Sequence, residues 1–201
     1  EAGELHIVRD PFGIKPLYYS VMHDGLIFAS EVKGLRAIAG DSNKLDVRGL
    51  QTFLSLRFVP SPHTLFDGVS RLEAGHWLRY SINNASLSIQ SYATPKLDRF
   101  TGSIDDAVVE YQRILKSSVR RQLLSDVPVG ILLSGGIDSA LLAAVAREDG
   151  GELPCYSVGF GSTYSECELS DAEETARTIG LPFHPIVISE ESIWSAFERT
   201  V

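Results

Sequence analysis

Residues 126–139 constrain this chain more than any other stretch: Asp126-Val127-Pro128-Val129-Gly130-Ile131-Leu132-Leu133-Ser134-Gly135-Gly136-Ile137-Asp138-Ser139. Ile131 to Leu133 is a short apolar run between Gly130 and Ser134-Gly135-Gly136, which suits a buried parallel strand ending in a tight turn. Residues 140–148, Ala-Leu-Leu-Ala-Ala-Val-Ala-Arg-Glu, are strong helix formers, with Asp138 or Ser139 placed to cap their first turn. The expectation is a strand, a loop of Ser and Gly, and a helix N-terminus.

Such a junction attracts anions. The first amides of a helix lack internal partners and carry the positive end of its dipole, and glycines let the backbone approach a phosphate. Neither Gly-x-x-x-x-Gly-Lys-[Ser/Thr] nor Gly-x-Gly-x-x-Gly is present, so the two commonest phosphate loops are excluded. The stretch resembles the Ser-Gly-Gly-x-Asp-Ser loop of the ATP pyrophosphatase (PP-loop) enzymes. That resemblance implies cleavage of ATP between its α and β phosphates and adenylation of a carboxyl or carbonyl oxygen.

Composition bounds the rest. A chain of 201 residues, 44% hydrophobic, can bury a real core and hold one or two domains. Residues 1–100 carry 11 Lys and Arg against 10 Asp and Glu, and residues 101–201 carry 7 against 16. The net charge of -8 thus sits in the second half, which argues for two parts and against a nucleic-acid partner. An acidic part that binds ATP has to rely on local amides and a divalent cation. The two cysteines, Cys155 and Cys167, form no Cys-x-x-Cys pair and suggest free thiols in a reducing compartment. No apolar run approaches the ~20 residues of a membrane span and no signal peptide is visible, so a cytoplasmic protein is expected. The chain opens on Glu1 rather than Met, which suggests a fragment or a processed chain.

From the start, 5–8, 16–21 and 26–30 read as strands of an antiparallel meander, with Asp10-Pro11-Phe12-Gly13 and His23-Asp24-Gly25 as turns. Helices are expected at 31–38, closed by Gly40, and within 45–58. Residues 77–82 and 86–92 should form a hairpin across Asn83-Asn84 with one wet face. The second part begins with a helix over 104–124, its stripe Ala107, Val108, Tyr111, Ile114, Leu115, Val119 and Leu123. After the 126–139 junction come a strand at 153–160, a helix at 170–179 with a Ser170/Glu173 capping box, a strand at 184–188 and a helix from 190. Alternating strands and helices imply a parallel sheet, whose ligands sit at the carboxyl ends of the strands.

Two further stretches make the resemblance specific. Arg9-Asp10-Pro11-Phe12-Gly13-Ile14-Lys15-Pro16-Leu17-Tyr18-Tyr19, followed by Ala29-Ser30-Glu31-Val32-Lys33-Gly34-Leu35, resembles the closing part of a class II, N-terminal-nucleophile (Ntn) glutaminase domain. With the Ser125 to Gly130 approach and the loop after it, the chain is similar to the bacterial type of glutamine-hydrolysing asparagine synthetase. The implied fold class is α/β plus α+β: the C-terminal part of an αββα Ntn-type glutaminase domain (1–95), a linker (96–103), and the N-terminal part of a Rossmann-like PP-loop synthetase domain (104–201).

The resemblance further implies that Ser134, Gly135, Gly136, Asp138 and Ser139 grip the pyrophosphate end of ATP, with Asp138 near Mg²⁺. Leu132 and Val158 are implied to line the adenine site. Aspartate, glutamine and ATP are the implied substrates, and a homodimer is compatible with the family. No catalytic residue is assigned, because the family's nucleophilic cysteine and glutamine contacts lie upstream of the Arg-Asp-Pro-Phe-Gly turn. A related adenylating enzyme of the β-lactam synthetase or lasso-peptide cyclase type is an alternative, as is a non-catalytic nucleotide-binding scaffold.

Other residues read as structure. Cys155 falls in an apolar strand, and Cys167, in the acidic loop Glu166 to Glu168, has no neighbouring base. His6, His23, His63, His76 and His184 show no ligand spacing. Glu166, Glu168, Asp171, Glu173 and Glu174 read as a solvated helix start, with a role at the substrate mouth left open, and Arg9-Asp10 as a salt bridge inside the sheet in preference to a functional pair. The 201-residue chain alone is expected neither to hydrolyse glutamine nor to make asparagine; glutaminase turnover by the purified chain would contradict this.

Overall fold

The computed structural model describes residues 3–39, 44–160 and 167–200. They form two compact units, Glu1–Asp98 and Arg99–Val201. In the first unit the elements are β1 (Glu4–Val8), β2 (Tyr18–Met22), β3 (Gly25–Ala29), α1 (Val32–Ala39), α2 (Val47–Leu56), β4 (Ser70–Arg71), β5 (His76–Ser81) and β6 (Ser86–Ser91). Gly40, the expected stop of α1, lies outside the described residues. Asp46 caps α2, its carboxylate accepting the Arg48 amide at 3.0 Å.

Of the expected meander only the β2–β3 hairpin forms, and β1 goes elsewhere. β1 pairs antiparallel with β5, and β6 completes that sheet, while β2, β3 and β4 make a second sheet in the order β3-β2-β4. The apolar pattern explains the choice, because pairing Ile7 with Leu78 and Leu5 with Tyr80 puts four apolar side chains on one face. Ile7, Leu78 and Tyr80 from the first sheet, Tyr19 from the second and Leu72 just after β4 share one core. β6 is exposed along its whole length rather than on one face, as an edge strand.

Between β1 and β2 the Arg9 to Lys15 turn is held by backbone bonds, not by the expected salt bridge. The buried Arg9 guanidinium donates to the carbonyls of Lys15 at 3.0 Å, Gly13 at 2.8 Å and Leu72. The Asp10 carboxylate accepts the amides of Ile14 at 3.0 Å, Phe12 at 3.1 Å and Lys15 at 3.2 Å. The Ile14 bond contributes most to holding Asp10 below its ordinary value of 3.8, with those from Lys15 and Phe12 adding to it.

The second unit contains α3 (Ile104–Gln122), β7 (Ile131–Leu132), α4 (Ile137–Glu148), β8 (Cys155–Gly159), α5 (Leu169–Ile179), β9 (Phe183–Val187) and α6 (Glu190–Thr200). β7, β8 and β9 are parallel and adjacent in sequence order. α4 and α5 bury one face of this sheet through Leu133, Ala143, Cys155, Ala172, Ala176 and Leu181. On the far side of α4, Val119 of α3 meets Val145 and Ala146, with Leu115 and Leu123 beside them. Val108, Tyr111 and Ile114, earlier in the same expected stripe, are exposed.

The capping pattern differs from the one expected. α3 carries a capping box in which Ser103 and Asp106 satisfy each other's amides at 3.0 and 3.1 Å, with Asp in the place usually held by Glu. Ser170 and Glu173 make no such box, because α5 starts at Leu169 and Ser170 is already helical. Cys155 is fully buried, and that burial pushes its thiol up from its ordinary value.

Replacing Arg9 by Leu strands two carbonyls of the turn and that of Leu72. The expected cost is about 3 kcal/mol, seen as a drop in Tm on the order of 15 °C. Arg9→Lys should recover only part of it, since one ammonium cannot span three carbonyls. Asp10, whose folded value is depressed, stabilises the turn fully above the ordinary carboxylate value, and that stability is lost as pH falls through the lower folded value. Melts recorded from about pH 5 down to pH 2 should therefore show an acid-dependent loss that Asp10→Asn reduces.

Candidate active site

The 134–139 loop lies at the carboxyl end of β7, where open parallel sheets place their ligands. Leu133 anchors it: the residue is buried under α4 and α5, and its amide donates to the Tyr156 carbonyl at 2.8 Å, carrying the ladder one step past the strand. Beyond that point the chain turns on small residues. Gly135 lies against α5, where a Cβ would come within 3.2 Å of the Cβ atoms of both Glu168 and Asp171.

Two serines shape the loop. The Ser139 hydroxyl accepts the Ser134 amide at 3.2 Å and reaches the Gly136 carbonyl at 3.0 Å. The Ser134 hydroxyl lies 2.9 Å from that of Ser139 and accepts the Gly136 amide at 3.3 Å. The remaining loop amide, that of Gly135, donates to the Glu168 carboxylate at 3.1 Å. The structure thus brings Ser134, Gly135, Gly136 and Ser139 into one bonded group.

The expected cap on α4 is absent, which is a correction to the role given Asp138 and Ser139. Gly136 is the N-cap, and among the described residues no side chain caps the helix. Asp138 lies inside the first turn, and Ser139 uses its hydroxyl on the loop behind it. The first-turn amides of Ile137, Asp138 and Ser139 therefore face outward at the positive end of the helix. This arrangement can bind a multiply charged anion without any lysine or arginine.

Leu132 and Val158 lie on the sheet face opposite α4 and α5. By register that face carries Leu132, Tyr156, Val158, His184 and Ile186, all exposed, and Tyr156 stacks on His184 with ring centroids 5.1 Å apart. Leu132 is 80% exposed, so an apolar platform stands open directly before the loop. Among the described residues no group of three or more His, Cys, Asp or Glu could hold a metal ion. The single carboxylate of Asp138 suits a cation that takes most of its other ligands from phosphate oxygens and water.

Residues 110–201 match the asparagine synthase family model, and residues 1–93 match that of the glutamine amidotransferase domain. Along the chain the glutamine amidotransferase match comes first and the asparagine synthase match second, and together they cover nearly the whole chain. The chain resembles the asparagine synthetase family along nearly its whole length.

It is 37% identical over 199 residues to asparagine synthetase [glutamine-hydrolyzing] 1 of Bacillus subtilis, covering 98% of this chain and 31% of that protein. It is 35% identical over 205 residues to a putative asparagine synthetase [glutamine-hydrolyzing] of Mycobacterium bovis, with the same coverage of 98% and 31%. The chain therefore spans about a third of the length of these relatives. A solved NH3-dependent NAD synthetase from Campylobacter jejuni shares a TM-score of 0.37 at 23% identity, covering 46% of this chain and 41% of that one, too slight a likeness to define the fold.

Two residues of the site were not singled out by sequence. Tyr156 extends the Leu132–Val158 platform, and the alternation of the 153–160 strand was the signal for it. Glu168 was grouped with a solvated acidic run, part of which, Glu166, lies outside the described residues. Nothing in the spacing of Glu168 shows that it reaches back to the amide of Gly135.

Proposed function

We propose that this chain is part of an ATP-dependent amidotransferase that makes asparagine from aspartate, glutamine and ATP. The observation that carries the reading is the uncapped start of α4 behind the serine-braced loop at the carboxyl end of β7. On this reading 1–95 is glutaminase, part of an αββα Ntn fold, 96–103 a linker, and 104–201 the start of a Rossmann-like PP-loop synthetase domain. Two small antiparallel sheets sharing a core, and a parallel sheet backed by helices, support that division.

Ser134, Gly135, Gly136, Asp138 and Ser139 would hold the pyrophosphate end of ATP, and Leu132 and Val158 would border the adenine. A β-carboxylate oxygen of aspartate attacks the α-phosphorus; the α–β phosphoanhydride bond breaks, and its electron pair leaves with pyrophosphate. Ammonia from glutamine then attacks the carbonyl carbon of β-aspartyl-AMP, loses a proton and displaces AMP. The first-turn amides of α4 and the loop hydroxyls favour the charge that gathers on the departing pyrophosphate, without reorganising as it forms. Mg²⁺, where bound, would screen the same charge, and Asp138 is the residue that would hold it. A cytoplasmic location fits the free thiols.

A second reading keeps adenylation and changes the nucleophile. The amidase chry2 of Gibberella zeae, 31% identical over 215 residues, carries a different name within the same set of relatives.

The Asp138→Asn variant should bind MgATP roughly tenfold more weakly by calorimetry, with the fold retained. Unchanged affinity would overturn the assignment of the loop. In the longer protein, ATP–pyrophosphate exchange stimulated by aspartate and by no other carboxylate would separate the first reading from the second.

A further inference from the structure

Glu168 reaches from α5 onto an amide of the serine-glycine loop. Its carboxylate accepts the Gly135 amide at 3.1 Å, completing a set in which Ser139 takes the amide of Ser134 and Ser134 that of Gly136. The contact is built from both sides. Gly135 leaves no side chain between loop and helix, its ideal Cβ position being 3.2 Å from that of Glu168. Glu168 itself is the N-cap residue of α5, a helix fixed by the fully buried Ala172 and Ala176. Among the described residues Glu168 forms no ion pair, so its charge is committed to the loop alone.

Resting on the pyrophosphate-loop reading above, we propose that Glu168 is an internal competitor for ATP: its carboxylate holds the Gly135 amide and must leave when the pyrophosphate end of ATP binds. A carboxylate and a phosphate oxygen are both anionic acceptors, and one N–H cannot serve both well. Were the carboxylate to stay, it would also face the phosphate charges at close range in a half of the chain with 7 Lys and Arg against 16 Asp and Glu. The same bond keeps the empty loop in its binding shape. Glu168 therefore lowers nucleotide affinity while preserving the site, and it favours release of pyrophosphate after the reaction.

Calorimetry on the 201-residue chain tests this with MgATP and with inorganic pyrophosphate as probes. The Glu168→Gln variant keeps a neutral acceptor for the amide and removes the charge, so both probes should bind about fivefold more tightly. The Gly135 amide proton gives a second readout by NMR. It should lie downfield in the empty wild-type chain, move upfield in Glu168→Ala, and reach a common position in both once pyrophosphate is bound. Equal or weaker binding by Glu168→Gln, or an unmoved Gly135 resonance in Glu168→Ala, overturns the proposal. Ser139→Ala, measured alongside, separates the two failures. If Ser139→Ala weakens binding while Glu168→Gln does not tighten it, only the competitor role falls. If neither change alters affinity, the pyrophosphate-loop reading falls with it.

Discussion

The second unit depends on how closely α5 lies against the turn that follows β7. Ala172 and Ala176 have no exposed surface and pack with Leu133 and Cys155 in one core. Small residues on the helix let it approach the sheet, and the absence of a side chain at Gly135 lets its start touch the loop. A larger residue at any of these points would push α5 away and open the turn. The core thereby sets the shape of the site as well as the stability of the unit, and a single buried residue, Leu133, belongs to both.

Element types were legible because they rest on local chemistry. The apolar run at 131–133, the helix formers at 140–148 and the glycines around the strands needed only spacing and composition to interpret. Pairing between neighbours was legible, in the β2–β3 and β5–β6 hairpins and the parallel β7-β8-β9 sheet, whereas long-range pairing was not. The separation of β1 from β2 rests on contacts between Ile7 and Leu78, residues far apart in sequence, and adjacency alone suggested a meander. Caps failed for a related reason. A capping box at Ser170 was plausible until the helix was found to start one residue earlier, whereas Ser103 and Asp106 escaped notice because Asp occupies the usual place of Glu.

The candidate site divides in the same way. Ser134, Gly135, Gly136 and Ser139 were found from sequence because consecutive residues make the loop, and the bonds among them are local. Tyr156 and Glu168 are brought in by register and by helix packing, which sequence distance conceals. Asp138 shows where a motif and its geometry part company. The order of residues identified it, yet it lies within the first turn of α4 and leaves the cap position to a glycine with no side chain to offer.

That vacancy gains meaning beside the turn in the first unit. Arg9 and Asp10 are adjacent and opposite in charge, yet they do not pair. Arg9 satisfies the carbonyls of Gly13 and Lys15 and ties the turn to that of Leu72, and Asp10 satisfies three amides, so the turn from 9 to 15 is saturated. Such saturation makes a good scaffold and a poor site, because a ligand would have to break bonds already made. At the start of α4 the economy is reversed. The loop amides behind it are held by the loop's own serines and by the displaceable carboxylate of Glu168, and the first-turn helix amides in front have no side-chain partner among the described residues. A residue able to cap that helix, a Ser or Asp at 136, would recover stability and fill the place a phosphate would take. Glycine at this position leaves the first-turn amides open for binding at the cost of that stability.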